Sequence, residues 1–279
     1  MHSSLLKIIL RAIITVPFWT QPLQAQDHGH LRIGATNTAQ GTPLHFYNGP
    51  DFAAASGYIK TLVLTNGGPY SNYFNQNITF TVQAATAAYG GPEADAPALG
   101  SHIRAAILSV KGPIGGTFAF WETGATDPTV SLVSGETGTN SYDVTQTDGS
   151  PGVDPFGHIH GRRFTATKPG IYTVAFQAFD ASTNGLNGGP IHAPSEIIEV
   201  SFQAGINIAS LAKATNGNTV TFGSMAGQNF WLESSINLND PLGWIPIAGP
   251  VSGNDYFLSL PDTNSIGQLR LYRLKAADP

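Results

Sequence analysis

Asp154-Pro155-Phe156-Gly157-His158-Ile159-His160-Gly161-Arg162-Arg163-Phe164 leads, through the turn signal Lys168-Pro169-Gly170, into Tyr172-Thr173-Val174-Ala175-Phe176-Gln177. Strand side chains repeat every two residues, so Tyr172, Val174 and Phe176 face one way and Thr173, Ala175 and Gln177 the other. This alternation predicts a half-buried strand, and Ile198-Glu199-Val200-Ser201-Phe202, which alternates as cleanly, is its expected partner. If residues 158–160 are extended, the imidazoles of His158 and His160 project from one face of the sheet.

Outward from this stretch the same period recurs. Strands are expected at 28–34, 43–47, 58–64, 78–82, 102–110, 117–122 and 129–133, with turn material at Asn66-Gly67-Gly68-Pro69 and Asn75-Gln76. Residues 84–100 read as a surface loop, and residues 134–157 as a second, polar loop. No segment carries a 3.6-residue apolar stripe. The expected class is therefore all-β: an Ig-like antiparallel β-sandwich over residues 26–205, then a second, smaller β domain over 206–279. The boundary is placed near Gly205, where histidine disappears from the sequence.

Composition narrows the function. Charged residues make up 11% of the 279, less than half the usual share, and the net charge is -5 with no basic tract, which argues against nucleic-acid partners. The absence of cysteine removes disulfides, thiolate catalysis, iron–sulfur clusters and cysteine-type zinc fingers together. Residues 1–25 read as a signal peptide: Lys7 and Arg11, an apolar run from Ile8 to Phe18, and a small-residue cleavage site at Pro22-Leu23-Gln24-Ala25. The expectation is an exported protein, periplasmic, cell-surface or extracellular, with no transmembrane helix in the mature chain.

Cleavage after Ala25 leaves His28, His30, His45, His102, His158, His160 and His192. Four of them form two i, i+2 pairs, His28 with His30 and His158 with His160. Neutral imidazole is a good ligand for zinc and copper, and such a pair on a strand delivers two nitrogens from one face. His158 and His160 are the expected core of a metal site, with His28, His30, His45 and His192 as further ligands and Asp27, Asp51 or Asp154 as carboxylate supplements. The alternative is that these histidines hydrogen-bond loops and turns, which is the expected role of His102. Gln26-Asp27-His28 would also offer a square-planar copper clasp as a free terminus.

Asp180-Ala181-Ser182-Thr183-Asn184-Gly185 has the opening spacing of a calcium loop, but Ile191 stands where the closing glutamate belongs, so a tight Asx-type turn is the competing reading. Hydrolase and nucleotide-binding motifs are lacking. Glu122 beside Trp121 would suit a sugar site or a strand-end ion pair.

Residues 28–205 resemble the exported domain of bacterial choice-of-anchor M proteins. The resemblance lies in Gly29-His30-Leu31-Arg32-Ile33-Gly34, Gly157-His158-Ile159-His160 with Phe164-Thr165, Lys168 to Val174, and Val200-Ser201-Phe202-Gln203-Ala204-Gly205. It implies a zinc- or copper-related binding role carried by His30, His158 and His160. Residues 206–279 resemble a short C-terminal β module of secreted bacterial proteins, through Leu232-Glu233-Ser234-Ser235, Trp244 and Tyr272-Arg273. The expected function is non-enzymatic binding of a transition metal; the alternative is a structural or adhesive protein whose partner is a cell-envelope component.

Overall fold

A computed structural model describes residues 29–240, 242–263 and 270–278. The signal-peptide reading of residues 1–25, the Gln26-Asp27-His28 clasp and the ligand role of His28 lie outside these described residues. Thirteen strands build the larger domain: β1 (His30–Ala35), β2 (Leu44–Phe46), β3 (Ile59–Leu64), β4 (Phe74–Gln76), β5 (Thr79–Val82), β6 (Ile103–Lys111), β7 (Thr117–Trp121), β8 (Val130–Val133), β9 (Ser141–Asp143), β10 (Gly157–His158), β11 (Arg163–Ala166), β12 (Gly170–Asp180) and β13 (Ile198–Ala204). The short helix α1 (Gly49–Phe52) follows β2.

The strands form two layers. One sheet has the order β10-β5-β1-β2, and the other β8-β7-β11-β4-β3-β13-β12-β6-β9. They pack face to face because alternate residues are apolar: Leu31, Ile33 and Ala35 of β1 and Phe80 and Val82 of β5 are buried against Phe164, Phe176 and Phe202 of the large sheet. The Phe80 ring lies 5.2 Å from Phe176 and 5.9 Å from Phe164. Truncating such a buried aromatic to alanine costs about 3–5 kcal/mol, so this seam carries much of the stability.

The all-β sandwich is thus the observed class. The pairing of β12 with β13 has the anticipated register, with Val174 opposite Val200. Most pairings are antiparallel, but β1 with β5 and β13 with β3 run parallel, each after a long crossover. The large sheet also curls. The amides of Gly135 and Gly138, between β8 and β9, donate to the carbonyls of Val110 and Leu108 on β6 at 2.8 and 2.9 Å, bringing one end of the sheet back toward the other.

Three readings of the sequence need correction. Asn75 and Gln76 belong to β4 rather than a turn: Asn75 is paired on both sides, opposite Val63 of β3 and Thr165 of β11, and Gln76 is paired with Phe164 of β11. The polar stretch 134–157 contains β9, whose Tyr142 is buried and stacks on Phe120 at 3.6 Å. Residues 84–100 are no mere surface loop: Ala84, Ala96 and Ala98 are buried, and the carbonyl of Asp95 accepts the amide of Ala35 at 2.8 Å.

The C-terminal segment forms β14 (Ile208–Ala214), β15 (Gly217–Gly223), β16 (Asn229–Ser235), β17 (Ile245–Ser252), β18 (Phe257–Asp262) and β19 (Leu271–Ala277). The sheets β14-β15-β18 and β17-β16-β19 enclose their own core of Val220, Phe222, Phe230, Leu232 and Leu260. Polar contacts dock it on the larger domain: Ile59 donates its amide to the Asp255 carbonyl at 2.9 Å, and Gln203 Nε2 donates to the Gly223 carbonyl at 2.8 Å. Among the described residues, no helix is long and apolar enough to cross a membrane.

Candidate functional site

Strand order decides which histidines meet. In the small sheet β5 lies between β1 and β10, pairing His30 with Thr79 on one side and His158 with Thr81 on the other. Leu31 and Ile33 point into the core, so His30 and Arg32 point outward. His158 shares that outer face. The rings of His30 and His158 are therefore neighbours, with centroids 4.6 Å apart in an edge-to-face arrangement, although the residues are far apart in sequence. The His160 ring lies 4.4 Å from that of His158. His30 Nδ1 and Thr81 Oγ1 are 3.3 Å apart.

The expected geometry of the second pair needs correction. β10 ends at His158, and His160 lies beyond it in the turn closed by Gly161 at φ +86°. The turn is pinned by Thr123 Oγ1, which donates to the His160 carbonyl at 2.7 Å, and by Gln146 Nε2, which donates to the His158 carbonyl at 2.9 Å. A side-by-side pair of rings thus arises from a strand end and a turn rather than from a continuous strand.

The structure does not bring the other named residues to this cluster. His45 pairs opposite Gly34, four residues along β1 from His30, which is about 13 Å at strand rise. It lines a separate apolar groove of about 580 Å³ with Phe46, Pro50 and Ile198. His192 is buried and both its nitrogens are committed: Nε2 accepts the amide of Ala98 at 2.9 Å, and Nδ1 donates to the Thr42 carbonyl at 3.0 Å. That tautomer pins the loop before β6 to the loop before β2. His102 Nε2 lies 2.9 Å from the Asp143 carboxylate. Asp51 is exposed on α1. Asp154 is committed to the backbone, with Ala85, Thr86 and Phe156 donating to its carboxylate.

Asp180 forms the Asx turn: its Oδ1 accepts the amides of His102 and Ser182, and its Oδ2 those of Ile191 and His192, at 2.9–3.1 Å. Glu122 makes a two-pronged ion pair with the buried Arg162, at 2.7 and 2.8 Å. The Trp121 indole is buried and donates to Thr165 Oγ1 at 2.8 Å.

Imidazole donors suit zinc or copper and would be a poor set for calcium or magnesium. Among the described residues, however, no group of three or more His, Asp or Glu side chains is arranged to hold a metal ion. The His30 and His158 rings meet edge to face, and the His158 and His160 rings are tilted by 39° to each other. Beside them lies a groove of about 390 Å³ lined by Arg32, Thr81, Tyr89, Glu93 and Phe156 together with His30 and His158. Sequence reasoning missed Arg32, Tyr89 and Glu93; only Arg32 carried a signal, lying two residues after His30 in an alternating strand. No known protein family, curated protein or solved structure matches the chain.

Proposed function

We propose that the chain is an exported, non-enzymatic protein that binds zinc or copper through His30, His158 and His160. In this reading residues 1–25 direct export, residues 28–205 are a domain of the choice-of-anchor M type, and residues 206–279 are its small C-terminal module. The observation that carries the metal reading is the contact of three imidazoles drawn from two distant segments, at 4.6 and 4.4 Å between centroids. Zinc–nitrogen bonds are about 2.0–2.1 Å long, so in this reading the rings reorient about their side-chain torsions to bring one nitrogen each onto the ion.

Zinc titration of the chain lacking residues 1–25, by calorimetry and elemental analysis, tests this. One ion per chain is expected, lost in His158→Ala and retained in His45→Ala. Wild-type protein that takes up no stoichiometric zinc or copper refutes it. The edge-to-face packing of the rings favours a second reading, a structural or adhesive protein in which the histidines rigidify the sheet edge. It predicts a melting temperature indifferent to chelator and binding to a cell-envelope component.

A further inference from the structure

The outer face of the small sheet carries a row of three residues in register: His158 on β10, Thr81 on β5 and Arg32 on β1. At the usual interstrand spacing, the Cα of Arg32 is about 10 Å from that of His158. The segment after β5 folds back over this row with Tyr89 and Glu93, and Phe156 closes one end; the Tyr89 and Phe156 rings stack at 4.9 Å. Arg32 is exposed and forms no ion pair among the described residues. Glu93 also lacks an ion pair there, and its Oε2 accepts the amide of Ala84 at 2.7 Å, which fixes the carboxylate in place. One groove therefore holds a cation and an anion that do not neutralise each other, beside an aromatic wall.

We propose that this groove binds a free α-amino acid in its zwitterionic form. The ligand carboxylate pairs with the planar guanidinium of Arg32, which is shaped for two-pronged carboxylate recognition. The ligand ammonium pairs with Glu93, and the side chain rests against Tyr89, favouring an apolar or aromatic amino acid. The volume of about 390 Å³ suits a molecule of this size rather than a polymer. Selectivity comes from both charges together. A simple carboxylate meets Glu93 and a simple amine meets Arg32, so each is repelled by the group that the zwitterion satisfies.

The test is calorimetric titration of the chain lacking residues 1–25 in EDTA, with L-phenylalanine as the probe and 3-phenylpropionate and 2-phenylethylamine as single-charge controls. Saturable binding of phenylalanine is expected, with each control weaker by about tenfold or more, the scale of one lost charge-assisted pair. Arg32→Gln and Glu93→Gln are each expected to weaken phenylalanine binding by about tenfold. Glu93→Gln keeps an amide oxygen for Ala84, so the segment over the groove stays tethered. The inference is overturned if wild type shows no saturable binding, if a control binds as well as phenylalanine, or if Arg32→Gln binds unchanged. Because chelator is present throughout, the result stands apart from the zinc titration.

Discussion

Asp154 couples the segment bearing Tyr89 and Glu93 to the segment that delivers Phe156 and His158, and its replacement tests how much that tether stabilises the fold. The residue is 6% exposed. Its Oδ1 accepts the amides of Ala85 at 3.1 Å and Phe156 at 2.9 Å, and its Oδ2 that of Thr86 at 2.7 Å. Asp154→Ala removes the acceptor for all three amides. A stranded buried donor costs about 1–3 kcal/mol, and Ala85 and Thr86 are only half-buried, so water entering the vacated space recovers part of the loss. The expected destabilisation is about 3 kcal/mol, and about half that for Asp154→Asn, which keeps one acceptor oxygen.

The pH dependence has a definite sign. Burial pushes the Asp154 carboxyl up, but hydrogen bonds from Thr86, Ala85 and Phe156 outweigh it and hold the group below the usual carboxylate range. A carboxyl whose folded pKa is depressed contributes stability above its unfolded value of about 3.9 and loses that contribution as pH falls through the folded value. The gap between wild type and Asp154→Asn is therefore level at neutral pH and narrows below about pH 4. Urea unfolding at several pH values, with m checked for constancy, measures it. Asp154→Ala within about 0.5 kcal/mol of wild type at neutral pH, or a gap that widens on acidification, refutes the reasoning.

Two further outcomes follow from committed side chains. Asp180→Ala strands four backbone amides and is expected to cost about 3–5 kcal/mol in urea unfolding, while millimolar calcium leaves the wild-type melting temperature unchanged because both carboxylate oxygens are already engaged; a clear upward shift with calcium contradicts this. His192→Ala is expected to destabilise by about 2 kcal/mol through the loss of its bonds to Ala98 and Thr42, yet to leave zinc stoichiometry at wild-type level when measured well below its melting temperature.

The strands most legible in the sequence are those that alternate over at least five residues with one face in the core. Tyr172, Val174 and Phe176 announce β12 because all three are fully buried while Thr173 and Gln177 are not. Short strands escape this test. β9 offers the core only Tyr142 between Ser141 and Asp143, and β4 reads Phe74-Asn75-Gln76, where two polar residues suggest a turn. Both are held by neighbouring strands rather than by their own pattern, which is tertiary context overriding local preference. The segment 84–100 misleads for a related reason: its alanines look like loop filler but Ala84, Ala96 and Ala98 are buried, and the segment lies close against β1 because Gly34 has no Cβ to meet the Asp95 carbonyl.

The histidine cluster divides along the same line. The i, i+2 spacing of His158 and His160 is visible in sequence, whereas their contact with His30 depends on β5 being inserted between β1 and β10. Two strands flanking a third are about 10 Å apart, too far for imidazoles to meet unless the middle strand leaves room above it. β5 does so with Thr81, half-buried on its outer face, while Phe80 and Val82 fill the core. Rings from either side can then lean together to 4.6 Å over the Thr81 hydroxyl. A small residue on the middle strand is what lets two histidine segments, separated in sequence and in the sheet, bring their rings together. For that reason Thr81 shapes the histidine cluster as much as the spacing of His158 and His160 does.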